Sequence, residues 1–96
     1  MRNMADENIT ECEKKLLRAL VNTWSWGARY KDPDILKRAA NLTNKDFNKA
    51  IKKLRNKRLV FVHHKPNGDI PSLNPHAKKE IMKIIEDMEE EEENDS

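Results

Sequence analysis

Glutamine is missing from this 96-residue chain, and glycine, tryptophan and cysteine are nearly so, with two, two and one copies. The single cysteine, Cys12, has no internal partner for a disulfide, which fits a reducing compartment. Aromatic residues make up 5% of the chain and charged residues 38%, so the apolar residues must occupy defined faces rather than a thick interior. No apolar run approaches the roughly 20 residues that span a bilayer, and the opening Met1-Arg2-Asn3-Met4 carries no apolar signal region. The expectation is an intracellular protein, cytoplasmic or nucleoid-associated, with no membrane partner. Ninety-six residues suit one domain with a small core and leave little room for a large active-site cleft. A Gly-rich phosphate loop is absent, and Ser25 and Ser72 have no base in a catalytic pattern, so no enzyme is expected. A metal site would have to draw on Cys12, His63, His64 and His76. Adjacent histidines on a strand point to opposite faces and no ligand-pair spacing recurs, so neither a metal nor a cofactor is expected. Abundant Lys and Glu suggest heat adaptation while ten Asn argue against it, and the two cancel as an indicator of source temperature.

The net charge of +2 hides a separation along the chain. Residues 1–28 are neutral, residues 29–65 carry twelve basic groups against Asp32, Asp34 and Asp46, and residues 86–96 carry eight acidic groups and no basic one. A basic middle and an acidic end therefore say more about partners than the total does.

Within that basic middle, residues 43–58 read as a helix. With Lys45 at zero and about 100° per residue, Phe47, Ala50, Ile51 and Leu54 fall near 200, 140, 240 and 180°. Lys45, Asn48, Lys49, Lys52 and Asn56 fall within about 60° of zero, on the opposite side. One face is core and the other cationic. Thr43 supplies the N-cap, with Asp46 near the positive helix end.

The flanking elements follow from local signals. Thr10-Glu11-Cys12-Glu13 is a capping box that opens a first helix ending near Thr23, with Ile9, Cys12, Leu16, Leu17, Leu20, Val21 and Trp24 on its buried side. Residues 24–31 hold three of the five aromatics and lack helical period, which predicts a short strand or an ordered loop. Trp24, Trp26 and Tyr30 are expected to pack into the core rather than stack on unpaired bases. Asp32-Pro33 starts a second helix, with Ile35, Leu36, Ala39 and Ala40 inward. Residues 41–43 then form the turn of a helix-turn-helix. After Arg58, Leu59 to His64 is a β-branched and aromatic run, and Asn67-Gly68 favours a hairpin turn that returns as a strand over residues 70–73. Pro71 limits that strand to an edge or a short pairing. Asn74-Pro75 opens a last helix whose stripe is Ala77, Ile81, Ile84, Ile85 and Met88. That stripe needs a partner, either the first helix of the same chain or a second copy.

This order of helix, extended segment, helix, turn, basic helix, hairpin and helix resembles the winged-helix branch of the helix-turn-helix DNA-binding proteins. The resemblance covers residues 10–88 and rests on the basic helix, the wing-like hairpin and the Asn74-Pro75-His76-Ala77-Lys78 step into the last helix, as in small bacterial and archaeal regulators. The segment containing the tryptophans is longer than many such regulators have. The resemblance implies a mainly α fold with a small β-hairpin (α+β), a winged helix-turn-helix over residues 9–88, flanked by a disordered segment at 1–8 and a disordered acidic tail at 89–96.

It also implies a double-stranded DNA-binding transcriptional regulator that inserts the 43–58 helix in the major groove. Asn44, Lys45, Asn48, Lys49 and Lys52 lie nearest the bases or phosphates, with Lys53, Arg55 and Arg58 directed to phosphate, and Asn is suited to the adenine edge. At the wing, His63, His64, Lys65 and Asn67 are placed to reach phosphates or the minor groove, and binding through such imidazoles weakens as pH rises through about 6 to 7. Arg29 and Lys31 are expected beside the helix-turn-helix on the backbone. A homodimer through the first and last helices would set two half-sites about one helical turn apart. The acidic tail is either a solubilising end or a competitor for the cationic helix. The alternative reading, from a different class, is a protein-interaction scaffold in a transcription or RNA-processing assembly, or an RNA-binding variant of the fold.

Overall fold

The computed structural model describes residues 9–66 and 68–95, with side chains as far as Asp87. The expectations for residues 1–8 and for Asn67 lie outside the described residues. The elements run α1 (Glu11–Asn22), α2 (Pro33–Ala40), α3 (Asn44–Asn56), β1 (Val60–Lys65), β2 (Gly68–Leu73), a 3-10 turn (Pro75–Ala77) and α4 (Lys78–Asp95).

The first three helices begin where their caps predict, while the Asn74-Pro75 signal opens the 3-10 turn and α4 follows from Lys78. At α1, Glu13 N–H donates to Thr10 Oγ1 at 3.3 Å while Thr10 N–H donates to the Glu13 carboxylate at 3.2 Å, closing the capping box. The helix ends as the Thr23 hydroxyl donates back to the Ala19 carbonyl at 2.8 Å, and Trp24 then takes a left-handed φ of 58°. That reversal turns Trp24 outward, 63% exposed, which corrects its expected place on the buried side of α1. Trp26 and Tyr30, by contrast, pack against the core.

Pro33, Leu36 and Ala40 bury the inner face of α2. Ile35, 48% exposed, and Ala39 do not join them, contrary to expectation. They lie about 60 to 100° around the axis from Leu36, and an eight-residue helix touches the core along too narrow a strip to reach them. Asn41 ends α2 with a left-handed φ of 57°, and the Thr43 hydroxyl then accepts from Asp46 N–H at 3.2 Å to start α3. Phe47, Ala50, Ile51 and Leu54 are all buried, as the wheel predicts.

After Arg58, whose φ of 62° reverses the chain, β1 and β2 pair antiparallel from Val60↔Leu73 to Lys65↔Gly68. β2 therefore starts at Gly68, two residues earlier than expected, and the pairing closes at Lys65↔Gly68 with Pro66 next after β1. Gly68 takes φ 123° as the first residue of β2, a conformation closed to residues with a Cβ. The 24–31 segment contributes a single parallel bridge, Trp26↔Leu73, with Leu73 N–H donating to Ser25 O at 2.7 Å and Gly27 N–H to Leu73 O at 2.9 Å.

Leu16, Leu17 and Leu20 of α1 form the middle of the core, meeting Leu36, Phe47, Leu54, Leu59, Leu73 and Ile81. Ile81, Ile84 and Ile85 are buried in the same core, so the stripe of α4 finds its partner within the chain. The α4 backbone runs to Asp95, and the side chains of Met88 and of the acidic run lie outside the described residues. Among the described residues no helix is long and apolar enough to cross a membrane. Helices in this order with a two-stranded hairpin make an α+β winged helix-turn-helix.

Candidate nucleic-acid interface

With its apolar stripe held in the core, α3 has no choice about what it turns outward. Asn44, Lys45, Asn48, Lys49, Lys52, Lys53 and Arg55 are all exposed. Strand β1 leaves the end of this helix and runs beside it, so the two enclose a groove of about 460 Å³. Lys45, Asn48, Lys49, Lys52 and Arg55 line the helical side, Val62 and Asp69 the hairpin side, and buried Ile51 lies at its base. Among the described residues, none of these four cations has a carboxylate within salt-bridge distance. The groove is cationic with one acidic residue on its far wall.

The hairpin has two different faces, because successive side chains alternate. Val62 faces the groove, so His64 belongs to that side as well; His64 Nδ1 lies 2.7 Å from Asp69 Oδ1, its cross-strand neighbour. His63 and Lys65 take the other face. There the His63 ring stacks on Tyr30 at 4.3 Å between centroids, its Nε2 is 3.0 Å from Ser72 Oγ, and the Lys65 ammonium lies 5.5 Å from the Tyr30 ring centroid. Ser72 in turn donates to the Gly27 carbonyl at 2.7 Å, tying the wing to the 24–31 segment. Arg29 and Lys31 are both exposed, and neither lines the groove. Arg58 is exposed beyond the end of α3, with its carbonyl accepting from Asn74 Nδ2 at 2.9 Å.

Three features were not read from the sequence. Lys57, counted in the basic stretch, donates from Nζ to Glu13 Oε2 at 2.8 Å; Glu13 is fully buried and the lysine side chain 18% exposed, so this charge faces inward. Glu13 also caps α1, and one carboxylate thereby locks α1 to the end of α3. Lys37 donates to Asn44 Oδ1, reaching from α2 onto the first residue of α3. Asp69 stands in the groove because its register partner is His64. The last was open to detection from the hairpin pairing; the partners of Lys57 and Lys37, 44 and 7 residues away, leave no local pattern. Among the described residues no three His, Cys, Asp or Glu side chains converge as metal ligands would.

The fold is similar to a solved structure of BpsR from Bordetella bronchiseptica, described in terms of the regulation of its DNA binding by 6-hydroxynicotinic acid. The TM-score is 0.71 at 16% sequence identity, over 91% of this chain and 61% of that one. The present chain thus spans about three-fifths of the solved chain it matches. No family model and no curated protein matches the sequence.

Proposed function

We propose that this protein binds double-stranded DNA as a transcriptional regulator, seating the outer face of α3 in the major groove with the β1–β2 hairpin as its wing. The observation that carries the reading is the groove between α3 and the hairpin, where Lys45, Lys49, Lys52 and Arg55 stand together without carboxylate partners among the described residues. A strand of phosphates is the ligand such a row fits: each contact releases condensed counterions, and the helix beside it reaches the base edges. The likeness to a fold seen in BpsR, whose DNA binding is regulated, supports a DNA ligand. Lys53 and Arg58 extend the phosphate surface along the end of α3, and His64 meets the backbone at the groove rim. Lys65, on the Tyr30 side of the wing, and Arg29 and Lys31, outside the groove lining, contribute long-range attraction.

Six cations on and just beyond α3 correspond to a log-log salt slope of about −5 on random duplex DNA. Changing Lys45, Lys49 and Lys52 together to Glu lowers affinity about 100-fold or more near 0.1 M salt and flattens the slope by about 3, with helicity retained. Equal binding by that variant contradicts the groove reading and favours an acidic protein as partner.

A further inference from the structure

Asn44 and Asn48 lie four residues apart on the outward face of α3, and each side chain is chemically able to read adenine. Their surroundings differ. The Lys37 ammonium donates to Asn44 Oδ1, stands 3.5 Å from Asp34 Oδ1 and lies 5.9 Å from the Phe47 ring centroid. Three contacts on three sides hold this lysine, whose side chain is 24% exposed. An ammonium has three donors and no acceptor, so the amide atom facing it must be the oxygen, and the amide cannot turn over without bringing N–H against N–H. Asn48 is exposed and lines the groove, and among the described residues its amide has no hydrogen-bond partner.

We infer that Lys37 is a specificity-determining positioning residue: it makes Asn44 a hydrogen-bond donor toward phosphate or acceptor base edges, and leaves Asn48 as the side chain that reads adenine. Adenine offers an N6 amino donor beside the N7 acceptor, so a bidentate pair needs an amide oxygen able to accept and an amide nitrogen able to donate. At Asn44 the oxygen already accepts from a cation, and an incoming amino group would approach beside that charge. The amide nitrogen of Asn44, on an exposed side chain, has no acceptor among the described residues. Phosphate oxygens, guanine N7 and O6, and thymine O4 match it; adenine N6 does not. At Asn48 both halves of the amide are available.

This assignment rests on the DNA-binding reading above, and selection of duplexes from a random-sequence library by the full chain separates the two. The wild type enriches sites with an adenine at one position. Asn48→Ala loses that preference by about tenfold or more, whereas Asn44→Ala keeps it and binds all sequences several-fold more weakly. Lys37→Met, which keeps an unbranched side chain but removes the ammonium, gains adenine preference at a second position, and Lys37→Arg retains the wild-type pattern. Enrichment without adenine preference, its loss in Asn44→Ala, or an unchanged pattern in Lys37→Met overturns the role given to Lys37 while leaving DNA binding in place. Failure of the wild type to retain any duplex overturns the DNA reading itself.

Discussion

Lys52 and Lys57 lie five residues apart on the same stretch of chain and have opposite fates. Lys52 stands in the groove, exposed, with no carboxylate beside it among the described residues; Lys57 turns in at the end of α3 and meets a fully buried Glu13. The basic stretch is therefore not one uniform surface. A cation paired with a buried carboxylate holds the fold, because removing either member leaves the other desolvated and unpaired. A cation without a partner contributes little to the fold and leaves its field for a ligand. The division follows from helix geometry: the stripe of Phe47, Ala50, Ile51 and Leu54 fixes the rotation of α3, and Lys57 at the C-cap is the basic residue that meets a carboxylate of α1.

The largest expected effect is on the inward side. Glu13→Ala removes both the α1 cap and the partner of Lys57, and chemical denaturation should show a loss of about 3 to 5 kcal/mol with duplex affinity of the folded fraction unchanged. Thr43→Ala removes the hydroxyl that accepts from Asp46 N–H, and denaturation should report a loss of about 1 kcal/mol. Its effect on affinity is confined to fraying at Asn44 and Lys45.

Asp69→Asn sharpens the comparison from the ligand side. Taking the carboxylate out of the groove should raise affinity for random duplex about threefold at low salt, and the gain should shrink as salt rises. The smallest effect belongs to Arg29→Ala with Lys31→Ala, which should change affinity by about twofold or less, since neither residue lines the groove between α3 and the hairpin. A large loss from that pair would place DNA outside that groove.

Local pattern carried the reading of the fold because its signals are local. The Thr10 and Thr43 caps, Pro33 at the start of α2 and the 47/50/51/54 stripe each involve residues within a turn or two of one another, and each holds in the folded chain. The start of β2 differs because pairing along six residues, from Val60↔Leu73 to Lys65↔Gly68, carries Gly68 into the strand, a long-range effect the local Asn67-Gly68 signal does not contain. Trp24 was misplaced because a single left-handed residue at the end of α1 breaks the helical period that put it inward. The outward row of the interface was visible in sequence for the same reason as the core stripe. What modifies that row was not: Lys37 on Asn44, Glu13 on Lys57 and Asp69 across from the lysines all depend on elements meeting in space.

The division of the α3 cations is tested most directly by measuring stability and duplex affinity on two variants side by side. Lys49→Glu with Lys52→Glu should lower affinity about tenfold or more and leave the unfolding free energy within about 0.5 kcal/mol of wild type, while Lys57→Met should lower stability by about 3 kcal/mol and leave the affinity of folded protein unchanged. If both variants move the same quantity, or if the first leaves affinity where it was, the outward lysines are not a nucleic-acid surface.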